Sequence, residues 1–193
     1  MSDVLSRVRT APATTMDTAE YGADFAKEFE AAAGIVWKLE RAQHFDEGDL
    51  PSYLAMLDGD WDRAMELADE MRPGFRADNP DRMDFRRIRV VAEPLTPYLR
   101  WELPLLSMRA EEGENSRVVP VSAVRPYEAD GPVPELVLFN STALYEVRYD
   151  ETGRHTGARK ITDPEIVEPC VPVLEALFDA GEELRAYSAR LTG

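Results

Sequence analysis

FRRIRVVAEPLTPYLRWELPLLSMR, residues 85–109, reads as a strand, a proline-marked turn and a helix, and the rest of the chain is organised around it. Phe85 to Val91 is rich in β-branched residues and carries no helix-forming run, which predicts a strand. Alternation puts Phe85, Arg87, Arg89 and Val91 on one face and Arg86, Ile88 and Val90 on the other. Glu93-Pro94 ends the strand, because proline offers no amide to a sheet ladder. Thr96 then has the chemistry of a helix N-cap, with Pro97 at the first helical position. Tyr98, Trp101, Leu105 and Met108 recur at helical spacing, which leaves Arg100 and Glu102 facing elsewhere. Pro104 inside that pattern predicts a kink near 100–104.

Arginines at 86, 87 and 89 of one strand need a physical reason. Guanidinium forks suit carboxylates and phosphates, so lining a partly buried anion site is one reading. Pairing with the chain's own carboxylates is the other, Glu93 and Glu102 being candidates, and the acidic surplus favours it. Arg87, Arg89, Arg100 and Glu102 are therefore the candidate ligand- or partner-binding residues.

Outward from that stretch, residues 1–16 show no periodicity and read as a flexible tail. Residues 17–193 read as one globular domain, with a mainly helical N-terminal lobe at 17–75 and a sheet-containing core at 83–193. In the lobe, Tyr21, Phe25, Phe29 and Ala32 mark an amphipathic helix closed by Gly34, and Ile35, Trp37 and Leu39 mark the buried face of a strand. Two short helices follow, the second capped by Asp60. The core adds strands at 117–121, 136–139, 144–149 and 159–161, with a proline-rich irregular loop at 125–134. A terminal helix from about Pro172 places Cys170, Val173, Leu174, Leu177, Phe178, Leu184 and Tyr187 on one stripe. The pattern predicts an α/β or α+β fold, a mixed sheet with helices packed on it.

The 193 residues are 44% hydrophobic and 31% charged, which marks a soluble globular chain long enough to bury a sizeable core. A net charge of −15 argues against direct nucleic-acid binding and suits a basic protein partner. The one cysteine, Cys170, excludes an intramolecular disulfide. With no signal-peptide region and no transmembrane-length apolar run, a cytoplasmic location without membrane contact is expected.

Signatures of familiar chemistry are missing. Asp58, Asp60 and Asp62 open like a calcium-binding loop, but Arg63 stands where that loop needs glycine and Asp69 replaces the usual glutamate. His44 and Asp46 lack a second histidine nearby, and His155 in GRHTG reads as a turn residue, so no metal site is expected. No dinucleotide fingerprint, phosphate loop or nucleophile elbow occurs, and no cofactor is implied. Cys170 on an apolar stripe reads as packing.

The segments WKLERAQHF (37–45), RIRVVAEPLTPYLRWEL (87–103), GENSRVVPVS (113–122) and ELVLFNSTALYEVRYDETG (135–153) resemble an actinobacterial family of uncharacterised proteins. Members are often encoded beside helix-turn-helix regulators and small acidic proteins, which implies a regulatory or accessory role. At fold level the order of elements also resembles phospholipase-D-like regulatory domains that have lost catalysis. The active enzymes need His-x-Lys, and neither His44 nor His155 has a lysine two places on. The expected function is thus a non-enzymatic cytoplasmic regulatory or accessory domain that binds a partner protein, with room for a small ligand. A helix-turn-helix regulator is one candidate partner, and a homodimer is compatible with the pattern. The alternatives are an immunity-type acidic inhibitor of a basic toxin, or an enzyme without a recognisable motif.

Overall fold

The arginine-bearing strand runs inside an eight-stranded mixed sheet in a computed structural model that describes residues 4–192. In chain order, α1 (Val4–Thr10) and β1 (Thr14–Met16) lead into α2 (Thr18–Ala31) and β2 (Gly34–Glu40). The helices α3 (Pro51–Leu57), α4 (Trp61–Asp69) and α5 (Arg72–Ala77) connect β2 to β3 (Met83–Val91). Next come α6 (Pro97–Glu111), β4 (Asn115–Pro120), α7 (Val121–Val124) and a 3-10 turn at Arg125–Tyr127. The strands β5 (Glu135–Phe139), β6 (Ala143–Tyr149) and β7 (His155–Ile161) follow. Last are α8 (Pro164–Val167), α9 (Cys170–Ala180), the two-residue β8 (Glu182–Glu183) and α10 (Leu184–Thr192).

Strand order across the sheet is β1-β7-β6-β5-β2-β3-β4-β8. Among the strands of the described residues, the β2–β3 and β3–β4 pairs are parallel and the others antiparallel, and each parallel pair requires a crossover, supplied by α3–α5 and by α6. The Thr96 side chain accepts from the Leu99 amide to cap α6, and the helix runs on through Pro104. Tyr98, Trp101 and Leu105 form its buried stripe together with Glu102, while Arg100 is exposed.

The two faces of the sheet differ. On one, Trp37, Leu39, Ile88, Val90, Val119, Leu136 and Leu138 form a continuous apolar core under α1, α8 and α9. The other holds two apolar islands, one around Phe85, Phe139 and Tyr145 beneath α2, the other around Tyr98, Trp101 and Leu103 among α3–α6 and α10.

Three expectations are corrected. Residues 4–16 are no loose tail: Leu5 and Val8 are fully buried, and β1 pairs with β7 from Thr14↔Lys160 to Met16↔Ala158. Arg159 clamps the segment by donating to the carbonyls of Val8, Arg9 and Ala11. Residues 1–3 lie outside the described residues. The segment 17–75 is not a lobe of its own, because β2 lies inside the sheet between β3 and β5. The terminal helix is two helices. At Gly181 a Cβ would sit 2.7 Å from Arg117 Cβ, so only glycine lets the chain approach β4 this closely. There β8 pairs with β4, and the chain passes from the α9 face to the face that buries Leu184 and Tyr187.

Candidate functional site

The strand register builds a charged band between the two apolar islands. Lys38 lies beside Arg87 and Glu40 beside Arg89, while Ser116 of β4 flanks Arg87 on its other side. Helix α6 adds Tyr98, Glu102 and Arg109 above the sheet, and the turn after it supplies Glu114.

Arg87 is the hub. Its Nε and Nη2 donate to Glu114 Oε1 and Oε2 at 2.5 and 3.1 Å, and its Nη1 donates to Glu40 Oε2 at 2.7 Å. Lys38 Nζ lies 2.8 Å from Glu40 Oε1, and Ser116 Oγ donates to Glu114 Oε1 at 2.7 Å. Arg109 joins Glu114 Oε2 at 3.1 Å and Asp78 Oδ2 at 3.0 Å. Arg89, fully buried, donates from Nε to Glu102 Oε2 at 2.7 Å and from Nη1 to the Ala42 carbonyl at 2.5 Å. The Tyr98 hydroxyl stands between Glu47 Oε1 at 2.6 Å and Glu102 Oε1 at 3.2 Å.

These contacts separate the carboxyls. Burial opposes the charge on Glu40 and Glu114, but the nearby cations outweigh it. Arg87, Lys38 and Arg89 hold Glu40 well below the carboxylate range, and Arg87 and Arg109 bring Glu114 to about 2. Burial wins at Glu102, whose pKa is raised despite Arg89, with Glu40 adding to the shift. Burial also lifts Glu135 to about 7, against the Arg41 and Ala42 amides it accepts from; the residue is half-buried overall, but its carboxyl is enclosed at the start of β5.

A cleft opens over this band. A cavity of about 340 Å³ has Tyr21 and Phe25 of α2 on one side, Tyr149 and His155 on the sheet, and Lys38 and Arg87 in its floor. It shares Lys38, Arg87 and Arg109 with a recess of about 210 Å³ that reaches Glu40, Tyr98 and Glu102. The His155 ring lies 5.2 Å from Tyr21 and 5.7 Å from Tyr149. Burial lowers its pKa, and its Nε2 is buried without a hydrogen-bond partner among the described residues. A larger depression of about 560 Å³ lies elsewhere, between Glu93–Leu95, α6 and α10, and exposed Glu93, Pro94, Arg100 and Arg190 contribute to its lining. It lacks the cleft's convergence of aromatic rings on buried charge.

The four sequence candidates do not form one site. Arg87 lines both parts of the cleft and Glu102 lines the recess. Arg89 is sealed beneath them, and Arg100 lines the separate depression. Glu93 pairs with neither arginine; it accepts from the Tyr187 hydroxyl at 3.1 Å. Glu40, Glu114, Lys38 and Arg109, and the aromatic walls, were not among the candidates. Lys38 and Glu40 carried a signal, since they alternate with the buried Trp37 and Leu39 and so share a face. His155 opens β7 opposite Tyr149 and is not a turn residue, whereas His44 is exposed. Asp60 caps α4 by accepting from the Arg63 amide at 3.1 Å. Among the described residues no group of three or more His, Cys, Asp or Glu could hold a metal ion. Cys170 is buried, which pushes its thiol up to about 11.

No curated protein matches the chain. Among solved structures it is similar to TrmBL2, an archaeal chromatin protein whose structure is described as showing a novel mode of DNA binding. The identity is 9% and the TM-score 0.46, over 90% of this chain and 53% of that one, so the chain spans about half that protein's length. The model of a domain of unknown function, DUF6879, matches residues 23–189, a span that includes all four segments quoted above and the whole cleft except Tyr21. The chain belongs to this uncharacterised family, DUF6879.

Proposed function

We propose that the chain is a non-enzymatic regulatory or accessory domain that holds a small molecule in the cleft and acts through a partner protein. The observation that carries this reading is the aromatic-walled cleft above charges already committed to one another. Arg87 is bound on both sides and its pKa raised well above normal, while Glu40 and Glu114 are driven the other way. These three stay charged near neutral pH, and Glu102, the recess carboxyl with a raised pKa, is tied to Arg89 and the Tyr98 hydroxyl, which favours binding over catalysis.

For the partner, Leu54, Leu57 and Trp61 are 42%, 57% and 40% exposed on α3 and α4. Asp58, Asp60 and Asp62 surround them in sequence, so the surface suits a partner that presents apolar side chains ringed by lysine or arginine. A cytoplasmic helix-turn-helix regulator, as the actinobacterial resemblance implies, fits this chemistry. The likeness to catalytically inactive phospholipase-D-like regulatory domains belongs to the same proposal. The net charge of −15 opposes direct contact with a nucleic-acid backbone, so the DNA binding described for TrmBL2 is not carried over. No helix among the described residues is long and apolar enough to cross a membrane.

The test is native mass spectrometry after incubation with a cytoplasmic metabolite extract. The unaltered chain should retain a small molecule that Val147→Trp, which fills the cleft from β6, does not. Failure of the unaltered chain to retain any small molecule, or equal retention by the variant, would refute the reading.

A further inference from the structure

We infer that the cleft selects a free aromatic carboxylate of one or two rings, with its ring system against the Tyr21, Phe25, Tyr149 and His155 rings and its carboxylate toward Lys38 and Arg109. This rests on the cleft reading above and names its ligand class.

Shape favours a flat body. At about 340 Å³ the cavity sits at the small end of the ~300–1,000 Å³ range of small-molecule pockets. Its wall is a cluster of rings: Tyr21 packs edge-on to Phe25 at 5.5 Å and lies 5.2 Å from His155, and Tyr149 continues the cluster along the sheet. Rings prefer edge-to-face or offset contact with another ring, which rewards a planar aromatic guest over a branched aliphatic one.

Hydrogen-bonding capacity sets the polar end. Among the floor's acceptors Glu114 is saturated, taking Arg87 and Ser116 on Oε1 and Arg87 and Arg109 on Oε2. Both oxygens of Glu40 are engaged, one by Lys38 and one by Arg87. The donors are not exhausted. An ammonium has three N–H groups and a guanidinium five, yet Lys38 engages Glu40 alone and Arg109 uses Nε and Nη2. Asp78 is the acidic group lining the 340 Å³ cavity, but it is exposed and already accepts from Arg109. A floor whose cations keep spare N–H groups, and whose buried carboxylates are each already tied to cations, suits a carboxylate better than a cation.

The experiment titrates three probes of one shape by calorimetry and ligand-observed NMR at pH 7.5: 2-naphthoate, 2-naphthalenemethanol and 2-naphthylmethylammonium. Naphthoate should bind at least tenfold tighter than the alcohol, and the cation most weakly. Lys38→Met should weaken naphthoate at least tenfold without changing the alcohol, Val147→Trp should abolish both, and Arg100→Ala should change neither. The three-probe comparison on the unaltered chain decides the matter even if Lys38→Met fails to fold. Alcohol or cation binding as tightly as naphthoate would overturn the ligand class and leave the cleft reading standing. No binding by any probe would also overturn the ligand class, while retention in the native mass spectrometry test decides the cleft reading separately.

Discussion

Replacing Arg89 by methionine isolates the buried charge pair from the volume around it. Methionine refills much of the aliphatic stem, so the loss is chiefly electrostatic: the bond to Glu102, the bond to the Ala42 carbonyl and the charge itself. Arg89 has no exposed surface and Glu102 is 5% exposed, so solvent cannot replace the missing partner. Removing one member of such a buried pair costs about 3–5 kcal/mol. At ~2–4 °C per kcal/mol for a chain of this size, the melting temperature should fall by roughly 6–20 °C. The deficit should depend on pH. Glu102 already has a raised pKa from burial, and losing Arg89 raises it further. A carboxyl whose folded pKa exceeds its unfolded value gives its full stability below the unfolded value and loses it as pH rises through the folded one. The variant should therefore be closer to wild type at pH 5 than at pH 8. Thermal melts followed by circular dichroism at both pH values, beside the exposed control Arg100→Met, measure this. A melt at pH 8 within about 2 °C of wild type, or a deficit independent of pH, would show that Arg89 does not neutralise Glu102. Arg89→Met/Glu102→Gln should recover part of the loss, because it removes both charges together.

Leu5→Ala should destabilise the fold by about 2–5 kcal/mol in urea melts, since Leu5 is fully buried in the core under α1. Gly157→Ala should be more disruptive, because a Cβ there would meet the Met16 carbonyl oxygen and φ is +124°; amide exchange should show β1 released from β7 first. Glu135, raised to about 7 from 4.5, should confer stability that is complete below pH 4.5 and lost as pH rises through 7. In Glu135→Gln that part of the stability–pH curve should be flat.

What the sequence disclosed follows from how local the physical signal is. Residues 85–109 carried theirs within one strand and one helix, and β3, α6 and the Thr96 cap stand where alternation and capping chemistry put them. The placement of Arg87 and Arg89 on one face was equally local. Their partners were not: Glu40 is reached through parallel pairing with β2, and Glu114 through the turn after α6. Alternation places Glu40 opposite the buried face of its strand but does not name Arg87 as its partner, and Glu114 carries no mark that separates it from the chain's other carboxylates. Residues 4–16 failed for a related reason. Helix α1 spans seven residues, too short for a period to stand out, and β1 exists only because β7 offers it an edge. The stripe from Cys170 to Tyr187 hid its break because Gly181 is needed for its closeness to β4, a long-range contact.

The same strands show why the charged band asks for a functional reason. On one face β2 and β3 present Trp37, Leu39, Ile88 and Val90 to an unbroken apolar core. On the other they present Lys38, Glu40, Arg87 and Arg89. A buried ion-pair network is often no more stable than apolar side chains of the same shape, so stability alone does not select it. What it provides is fixed geometry, because each guanidinium is held by partners on different elements and cannot swing away from the cleft. The opposite wall is built differently. No residue of α2 is buried, and its polar ties to the sheet are Lys160 with Asp24 and Glu28 and the Tyr145 hydroxyl with Asp24. A rigid charged floor faces a helix that is half in solvent. Ligand binding should therefore register on α2 first, as slowed amide exchange over Thr18–Ala31 with β2 and β3 unchanged. Equal protection of α2 with and without 2-naphthoate, under conditions where calorimetry shows binding, would place the ligand elsewhere.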